Sequence, residues 1–320
     1  MLLTPRQTRA LYEHAVTNHY AVLAVNADSP AAIIDCLHAA KECDAPIIIE
    51  TSLWQLQGHS FGAGDPMLGM NRYVADLTVV ASHERFAEVP VVYHTDHIKG
   101  PETIPILKHA MDANASSISL DSSDLTNAEN IRILSELCLY ARTNDLEATL
   151  EMEAGVDDGV TDLAETDALF GAIERQHPGF LALWAPGVGT QHGLGDVKGF
   201  SSEAIRKHQT AASELANRPI GIALHGSSGL SNEDLQAAVA SGVAKVNWSS
   251  ESLLLRSQAA MEYYRNYGDR LTRTHPDFKT TAMDNGLQTY VASSYQMKVV
   301  ERIRILSGAG FGKRFLQTPC

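Results

Sequence analysis

The sequence predicts a (β/α)8 barrel, the TIM-barrel fold class, and three observations carry that expectation. Eight short apolar, β-branched runs recur along the chain, and amphipathic segments with helical spacing lie between them. Polar, chemistry-bearing residues crowd at one end of every run, whereas the other ends, such as Ala45-Pro46 and Arg218-Pro219, are plain turns. Strands buried on both faces and joined by helical crossovers read as such near-continuous apolar runs. An open doubly wound sheet is the competing arrangement. It has about five to seven strands and often a GxGxxG after the first, which this chain lacks.

The runs are residues 21–25, 46–50, 90–94, 116–120, 148–152, 180–184, 219–225 and 243–247. Helical spacing marks 31–40, 104–111, 128–141, 202–215 and 232–240. Ser29-Pro30 puts a cap before a proline in the first helical turn, and Ser231-Asn232-Glu233-Asp234 has capping-box spacing. A typical barrel uses about 250 residues, and the surplus in this chain of 320 falls at 53–89, at 185–200 and after Glu251. No low-complexity linker divides it, so residues 1–320 read as one domain with a C-terminal helical extension over 251–320. That extension, through Ile303-Arg304-Ile305, is longer than one barrel helix needs and is expected to pack on a partner subunit in a homodimer or homotetramer.

Hydrophobic content of 44% and charged content of 20% fit a globular chain rather than a disordered one. A net charge of −13 excludes sequence-independent nucleic-acid binding, which needs a basic surplus to displace counterions. It leaves room for an anionic small molecule held by a local site. Cys36, Cys43, Cys138 and Cys320 form no CxxC pair and suit a reducing compartment. No apolar run approaches the ~18 residues of a membrane span, and the N-terminus has no signal-peptide pattern. The expected location is cytoplasmic, with neither membrane nor nucleic acid as partner.

The residues after each run carry the chemistry. In order they are Asn26; Glu50, Thr51 and Ser52; Asp96 and His97; Asp121, Ser122 and Ser123; Glu151 and Glu153, with Asp157 and Asp158 beyond; Gly187, Gly189, Thr190 and His192; His225; and Asn247, Ser249 and Ser250. A barrel brings all these ends to one face. There His97, His192 and His225 would meet, and three neutral imidazoles around Zn2+ leave a position open for substrate. Asp121 and Glu153 would orient those histidines or hold a second ion. Asp96, beside His97, would be the group that moves a proton. A lone histidine is more often a surface or capped residue, and His14, His38, His109, His177 and His208 are read that way. The glycine-rich 187–193 stretch suits a mobile loop. His225-Gly226-Ser227-Ser228-Gly229, near Ser249 and Ser250, offers backbone N–H groups and hydroxyls to an oxyanion or phosphate. In barrels such a site commonly follows strands seven and eight.

Together these segments resemble the class II, metal-dependent ketose-bisphosphate aldolases. Tyr93-His94-Thr95-Asp96-His97 is similar to that family's H-T-D-H stretch, and Asp121-Ser122-Ser123-Asp124-Leu125 to its D-x-S-H-L, with Asp124 in place of histidine. Leu150-Glu151-Met152-Glu153 resembles the E-x-E-L-G strand, with Ala154 in place of leucine. Gly189-Thr190-Gln191-His192-Gly193 resembles G-T/N-x-H-G. His225–Gly229, then Gly242-Val243-Ala244-Lys245-Val246-Asn247, resemble H-G-G-S-G and G-V-A-K-x-N, and Ala24-Val25-Asn26 resembles A-F-N. The matches run in order from about Tyr20 to Ser250, most of the chain.

The resemblance implies zinc, or another divalent ion, on His97, His192 and His225. It implies a proton exchanged by Asp96 at the cleaved bond, and an alternative metal position at Asp121 and Glu153 that would take a second divalent or monovalent cation. It places the ketone-side phosphate and backbone of a sugar phosphate at Gly193, Gly226, Ser228 and Asn247, with Ser249 and Ser250 able to donate to the phosphate. Asn26 matches a motif position, and Ser52 lies near the other half of the substrate. The implied reaction is reversible retro-aldol cleavage of a ketose phosphate to dihydroxyacetone phosphate and an aldehyde, with no Schiff-base lysine.

Three departures bear on the substrate. The family's G-G-x-E-D-G loop is shortened to Ala154-Gly155-Val156-Asp157-Asp158-Gly159, so Asp158 or Asp157 takes the place of the second acid–base glutamate, one methylene shorter. H-G-x-Y-K becomes His192-Gly193-Leu194-Gly195-Asp196, with Lys198 as the nearby cation. N-x-D-T becomes Asn247-Trp248-Ser249-Ser250. These changes keep a second expectation open, an unusual or unphosphorylated ketose. A non-catalytic barrel is disfavoured because Asp96 and all three histidines are present.

Overall fold

Eight parallel strands close on themselves in chain order, each paired with the next and the last with the first. The structure, a computed structural model, describes residues 1–99, 103–121, 124–155, 159–195, 197 and 199–318. Helix α1 (Pro5–Thr17) precedes β1 (Val22–Asn26), followed by α2 (Pro30–Glu42), β2 (Ile47–Thr51), α3 (Leu53–Gln57), α4 (Pro66–Ser82) and β3 (Val91–Lys99). Then come α5 (Ile104–Asp112), β4 (Ser117–Asp121), α6 (Asn127–Thr143), β5 (Leu150–Glu153), α7 (Ala172–Gln176), entered through a π-helical turn, and β6 (Leu181–Ala185). The barrel finishes with α8 (Ser202–Ala216), β7 (Gly221–Leu224), α9 (Asn232–Ala240), β8 (Val243–Trp248) and α10 (Ser250–Tyr267). Beyond it lie α11 (Phe278–Ala282), α12 (Asp284–Ile305) and α13 (Gly312–Leu316). All eight expected strands are present, each starting within two residues of its expected position. Only β3 runs clearly further, to Lys99.

Helices α1, α3, α4 and α7 were not expected. The signal for α1 is legible in hindsight. Thr4 and Gln7 form a capping box, Pro5 sits in the first turn, and Leu11, Tyr12 and Ala15 make a buried stripe. Leu3 and Pro5 accept hydrogen bonds from Ser116 and Thr149, so the N-terminal segment closes the barrel end opposite the polar strand tips. Above α1 the barrel lumen begins with small or apolar groups, Val22, Ala24, Ile48 and Val92. It continues with Glu50, His94, Glu151 and Lys245, all fully buried. Period-two alternation along each strand puts the next inward residues, Asn26, Asp96, Glu153 and Asn247, at the open end. The outer strand faces pack on the helices in one large apolar cluster.

Helix α12 turns Val291, Tyr295, Val299, Val300 and Ile303 onto this chain's own α2 and α10, rather than keeping that face for a partner. A buried carboxylate ties the three helices together. Asp35 of α2 accepts from Arg256 of α10 at 2.5 Å and from Gln296 of α12 at 3.0 Å. Breaking a buried pair strands the remaining charge, so Asp35→Ala should lower the unfolding free energy by about 3 kcal/mol. Denaturant titration measures it, and an unchanged midpoint would refute the role. Among the described residues no helix is long and apolar enough to cross a membrane.

Candidate active site

A regular strand sends alternate side chains to opposite faces, so Asp96 and His97 cannot both enter the lumen from an unbroken β3. The register of β3 against β4 shifts between Thr95 and Ile98, and His97 sits at φ 47°, in the left-handed region. This bulge re-aims His97 beside Asp96.

Two further imidazoles meet it. His97 Nε2 lies 3.0 Å from His192 Nε2 and 3.0 Å from His225 Nδ1. The far nitrogens define the tautomers. His225 Nε2 is 2.7 Å from Glu151 Oε1, and His97 Nδ1 is 3.3 Å from Glu153 Oε2 and 3.4 Å from Asp121 Oδ2. A carboxylate can only accept, so the far nitrogens of His225 and His97 carry protons, and in the neutral rings this leaves the near nitrogen of each as the acceptor or ligand. Ring nitrogens 3.0 Å apart need a positive centre between them, either a proton shared from His97 Nε2 or a metal ion. The three rings thus fit a divalent metal by their donor chemistry, as the sequence led us to expect, and they form one of the clusters capable of holding an ion. Asp121 and Glu153 come to the back of His97. Their distances suit orientation of the ring, one of the two roles anticipated for them.

Asp96 lies 2% exposed beside this cluster. Asn247 Nδ2 donates to its Oδ1 at 2.8 Å and Asn26 Nδ2 to its Oδ2 at 3.1 Å. Burial pushes its carboxyl up, but the imidazole of His97 and the ammonium of Lys245 outweigh that and hold it at about 2. Burial works against a charged His97, yet Asp96 and Glu153 raise it well above the usual imidazole range. The same anionic field would meet a bound cation.

Beneath lies an ionic layer that the strand ends only partly signalled. Lys245 Nζ stands 2.9 Å from Glu151 Oε2 and 3.3 Å from Glu50 Oε2, with His94 Nε2 3.5 Å from Glu151. Burial opposes the charge on Glu151, but Lys245 and the bond to His225 hold it well below its usual range. Glu50 is pushed well above by burial and by Asp96, and burial with Lys245 lowers His94 to about 3. Lys245–Glu151 is thus the layer's closest ion pair, beside a Glu50 whose charged form burial disfavours and a neutral His94. Charged residues inside apolar strands must be paired, and that signal alone could have found Lys245 and Glu151 as supports of the site.

The cleft above has a volume of about 490 Å³. Its lining includes Asn26, Ser52, Asp96, His97, Asp121, Glu153, His192, Gly193, Gly226, Ser228, Asn247, Ser249 and Ser250, whereas buried His225 and the strand-end residues Glu50, Thr51, Glu151, Gly187, Gly189 and Thr190 do not open into it. His225 reaches the site through its ring nitrogen. Asp157, Asp158, Asp196 and Lys198 lie outside the described residues. Gly226 has φ 65°, and a Cβ there would stand 2.7 Å from the Gln191 carbonyl, which explains glycine at this point of the rim. Trp54, 83% exposed, and Lys99 also line the cleft and were not anticipated. Lys99 pairs with Asp124 at 2.8 Å and Asp121 at 3.7 Å.

Comparisons with known proteins agree with this geometry. Residues 6–310 match the family model described as "Fructose-bisphosphate aldolase class-II". A fructose-bisphosphate aldolase of Ureaplasma parvum is 29% identical over 268 residues, covering 82% of this chain and 84% of that protein. One from Aspergillus oryzae is 27% identical over 297 residues, covering 82% and 80%. Among solved structures, the fructose-bisphosphate aldolase of Campylobacter jejuni superposes with a TM-score of 0.81 over 96% of both chains at 22% identity. The YdjI aldolase of Escherichia coli gives 0.73 over 98% of this chain and 100% of that one at 23% identity. With the fold, the convergent histidines and a family match spanning nearly its whole length, the chain belongs to the class-II fructose-bisphosphate aldolase family.

Proposed function

We propose that this aldolase cleaves a ketose phosphate by a reversible retro-aldol reaction, releasing dihydroxyacetone phosphate and an aldehyde. The observation that carries the reading is the convergence of three imidazole nitrogens beside a buried carboxylate that two asparagines hold in place. His97, His192 and His225 would hold Zn2+ or another divalent ion. When bound, such an ion supplies Lewis-acid stabilisation of negative charge on the ketone oxygen of the substrate.

The protein's own residues do the rest. Asp96 takes the proton from the hydroxyl whose carbon becomes the aldehyde, and Asn26 and Asn247 keep its two oxygens aimed. As the carbon–carbon bond breaks, its electron pair passes to the ketone half, and the electron-rich carbon takes a proton from a second acid, Asp158 or Asp157. Glu151 locks the tautomer of His225, and Lys245 keeps Glu151 charged. Gly193, Gly226, Ser228, Asn247, Ser249 and Ser250 hold the ketone-side phosphate and backbone, and Ser52 borders the aldehyde side. Asp121 and Glu153 fix the back of His97 and are the oxygens available to a second cation. The reading treats residues 1–320 as one domain of a cytoplasmic homodimer or homotetramer.

A substrate panel tests it. Ketose 1-phosphates and bisphosphates should be cleaved with kcat/KM at least about a hundredfold above the free ketoses, because phosphate contacts hold the substrate in register. Indifference to phosphate would reject the cradle. Two observations support a second reading, an unusual or unphosphorylated ketose: Lys99 is already engaged by Asp121 and Asp124, and Trp54 offers an apolar face at the rim.

A further inference from the structure

Ser249 and Ser250 open into the cleft from the first turn of α10, and Ser249, although it occupies the N-cap position, makes no side-chain capping bond. The hydroxyls at this corner are instead organised from behind. Trp248 is 1% exposed, and its indole Nε1 donates to Glu251 Oε2 at 2.6 Å. Arg302 of α12 donates to the same carboxylate oxygen, and its guanidinium lies 5.3 Å from the centre of the Trp248 ring. Tyr295, also on α12, lies nearly parallel to that ring, and its hydroxyl is 2.5 Å from Ser252 Oγ. The backbone N–H of Glu251 then donates to Ser228 Oγ at 3.3 Å, while Ser227 Oγ donates to the carbonyl of Asn247. With its oxygen accepting from Glu251, the Ser228 hydroxyl keeps its own hydrogen to donate into the cleft.

We propose that Trp248, Glu251 and Arg302 form a clamp through which α12 positions the Ser228–Ser249–Ser250 corner, making Arg302 a positioning residue for substrate phosphate although it does not line the cleft. The proposal rests on the phosphate-cradle reading given above. The clamp acts on binding alone, because none of its members touches Asp96 or the three histidines. It also gives bulky Trp248 a purpose: a smaller side chain at that position would reach neither Glu251 nor the guanidinium.

The test is steady-state kinetics on a ketose phosphate, with inorganic phosphate as competitive inhibitor and bound metal measured in every variant. Trp248→Phe keeps an aromatic side chain but removes the indole N–H and the reach to Glu251, and Arg302→Gln removes the charge. Each should raise both KM and the inhibition constant of phosphate by about tenfold, the scale of one charge-assisted hydrogen bond, with kcat within about twofold and metal content unchanged. Arg302→Lys should recover part of the loss. Unchanged KM and phosphate inhibition in Trp248→Phe, or a fall in kcat matching the rise in KM, overturns the clamp. Should Arg302→Gln fail to fold, Trp248→Phe and Arg302→Lys decide. Ser228→Ala separates the two levels. If it alone weakens phosphate binding, the cradle stands and the clamp falls; if phosphate does not inhibit even the unaltered enzyme, cradle and clamp fall together.

Discussion

A His192→Ala variant loses its divalent ion and on the order of a thousandfold or more in kcat, with the barrel intact. His192 is the cleanest of the three histidines to remove. It is exposed on a loop, whereas His225 is buried against Glu151 and His97 carries the strand bulge. Removing His225 would leave the Glu151 carboxylate buried with one partner fewer, and stability and catalysis would fall together. Removing His192 takes away one candidate ligand nitrogen and its ring contacts with His97 and His225, without leaving the Glu151 carboxylate short of a partner. Elemental analysis and kcat on the same preparation check the result, with melting temperature as the control. A chelator should reproduce the loss in the unaltered enzyme, and added divalent ion should reverse it. Full turnover by a metal-free His192→Ala protein would discard the three-histidine site.

Asp96→Asn is the second large effect. The substitution preserves shape and burial but removes the basic oxygen, so kcat should fall by about 10²–10⁴ while KM and bound metal change little. The side chain would stay in place, because Asn247 and Asn26 still approach it from two directions. One of them would face an amide N–H instead of an acceptor, a modest local cost beside the loss of proton transfer. Asp96 is held at about 2, so near neutral pH it is ionised and able to accept a proton. A kcat within tenfold of the unaltered enzyme would move the proton-transfer role to Asp157 or Asp158.

The barrel was legible because a fully buried parallel strand leaves a run of β-branched residues with polar groups at one end only, and the chain repeats that signal eight times. The three histidines were legible for the same reason: each stands at or just beyond a strand tip. How Asp96 and His97 enter the site together was not legible, because alternation forbids it and only a shift in backbone register allows it. The ionic layer was half visible. Glu151 and Lys245 sit in apolar runs, but nothing local says that they pair across 94 positions of chain, or that Glu50 joins them. Trp248 showed only as part of a departure from the N-x-D-T motif, because its partner Arg302 lies far along the extension, outside any motif. Helix α1 went unread because its short apolar stripe precedes the first strand, where a barrel needs no crossover.

On the metal-site reading proposed above, the left-handed turn at His97 would couple this enzyme's stability to its metal supply. A residue with a Cβ held in that region costs about 1–2 kcal/mol, a sizeable part of a typical domain's margin of stability. An ion that binds only the folded arrangement of the three histidines offsets that cost by mass action, the more so the higher its free concentration. A cell short of the ion would therefore hold a larger unfolded fraction of this chain, open to proteolysis, and would lose the protein as well as its activity.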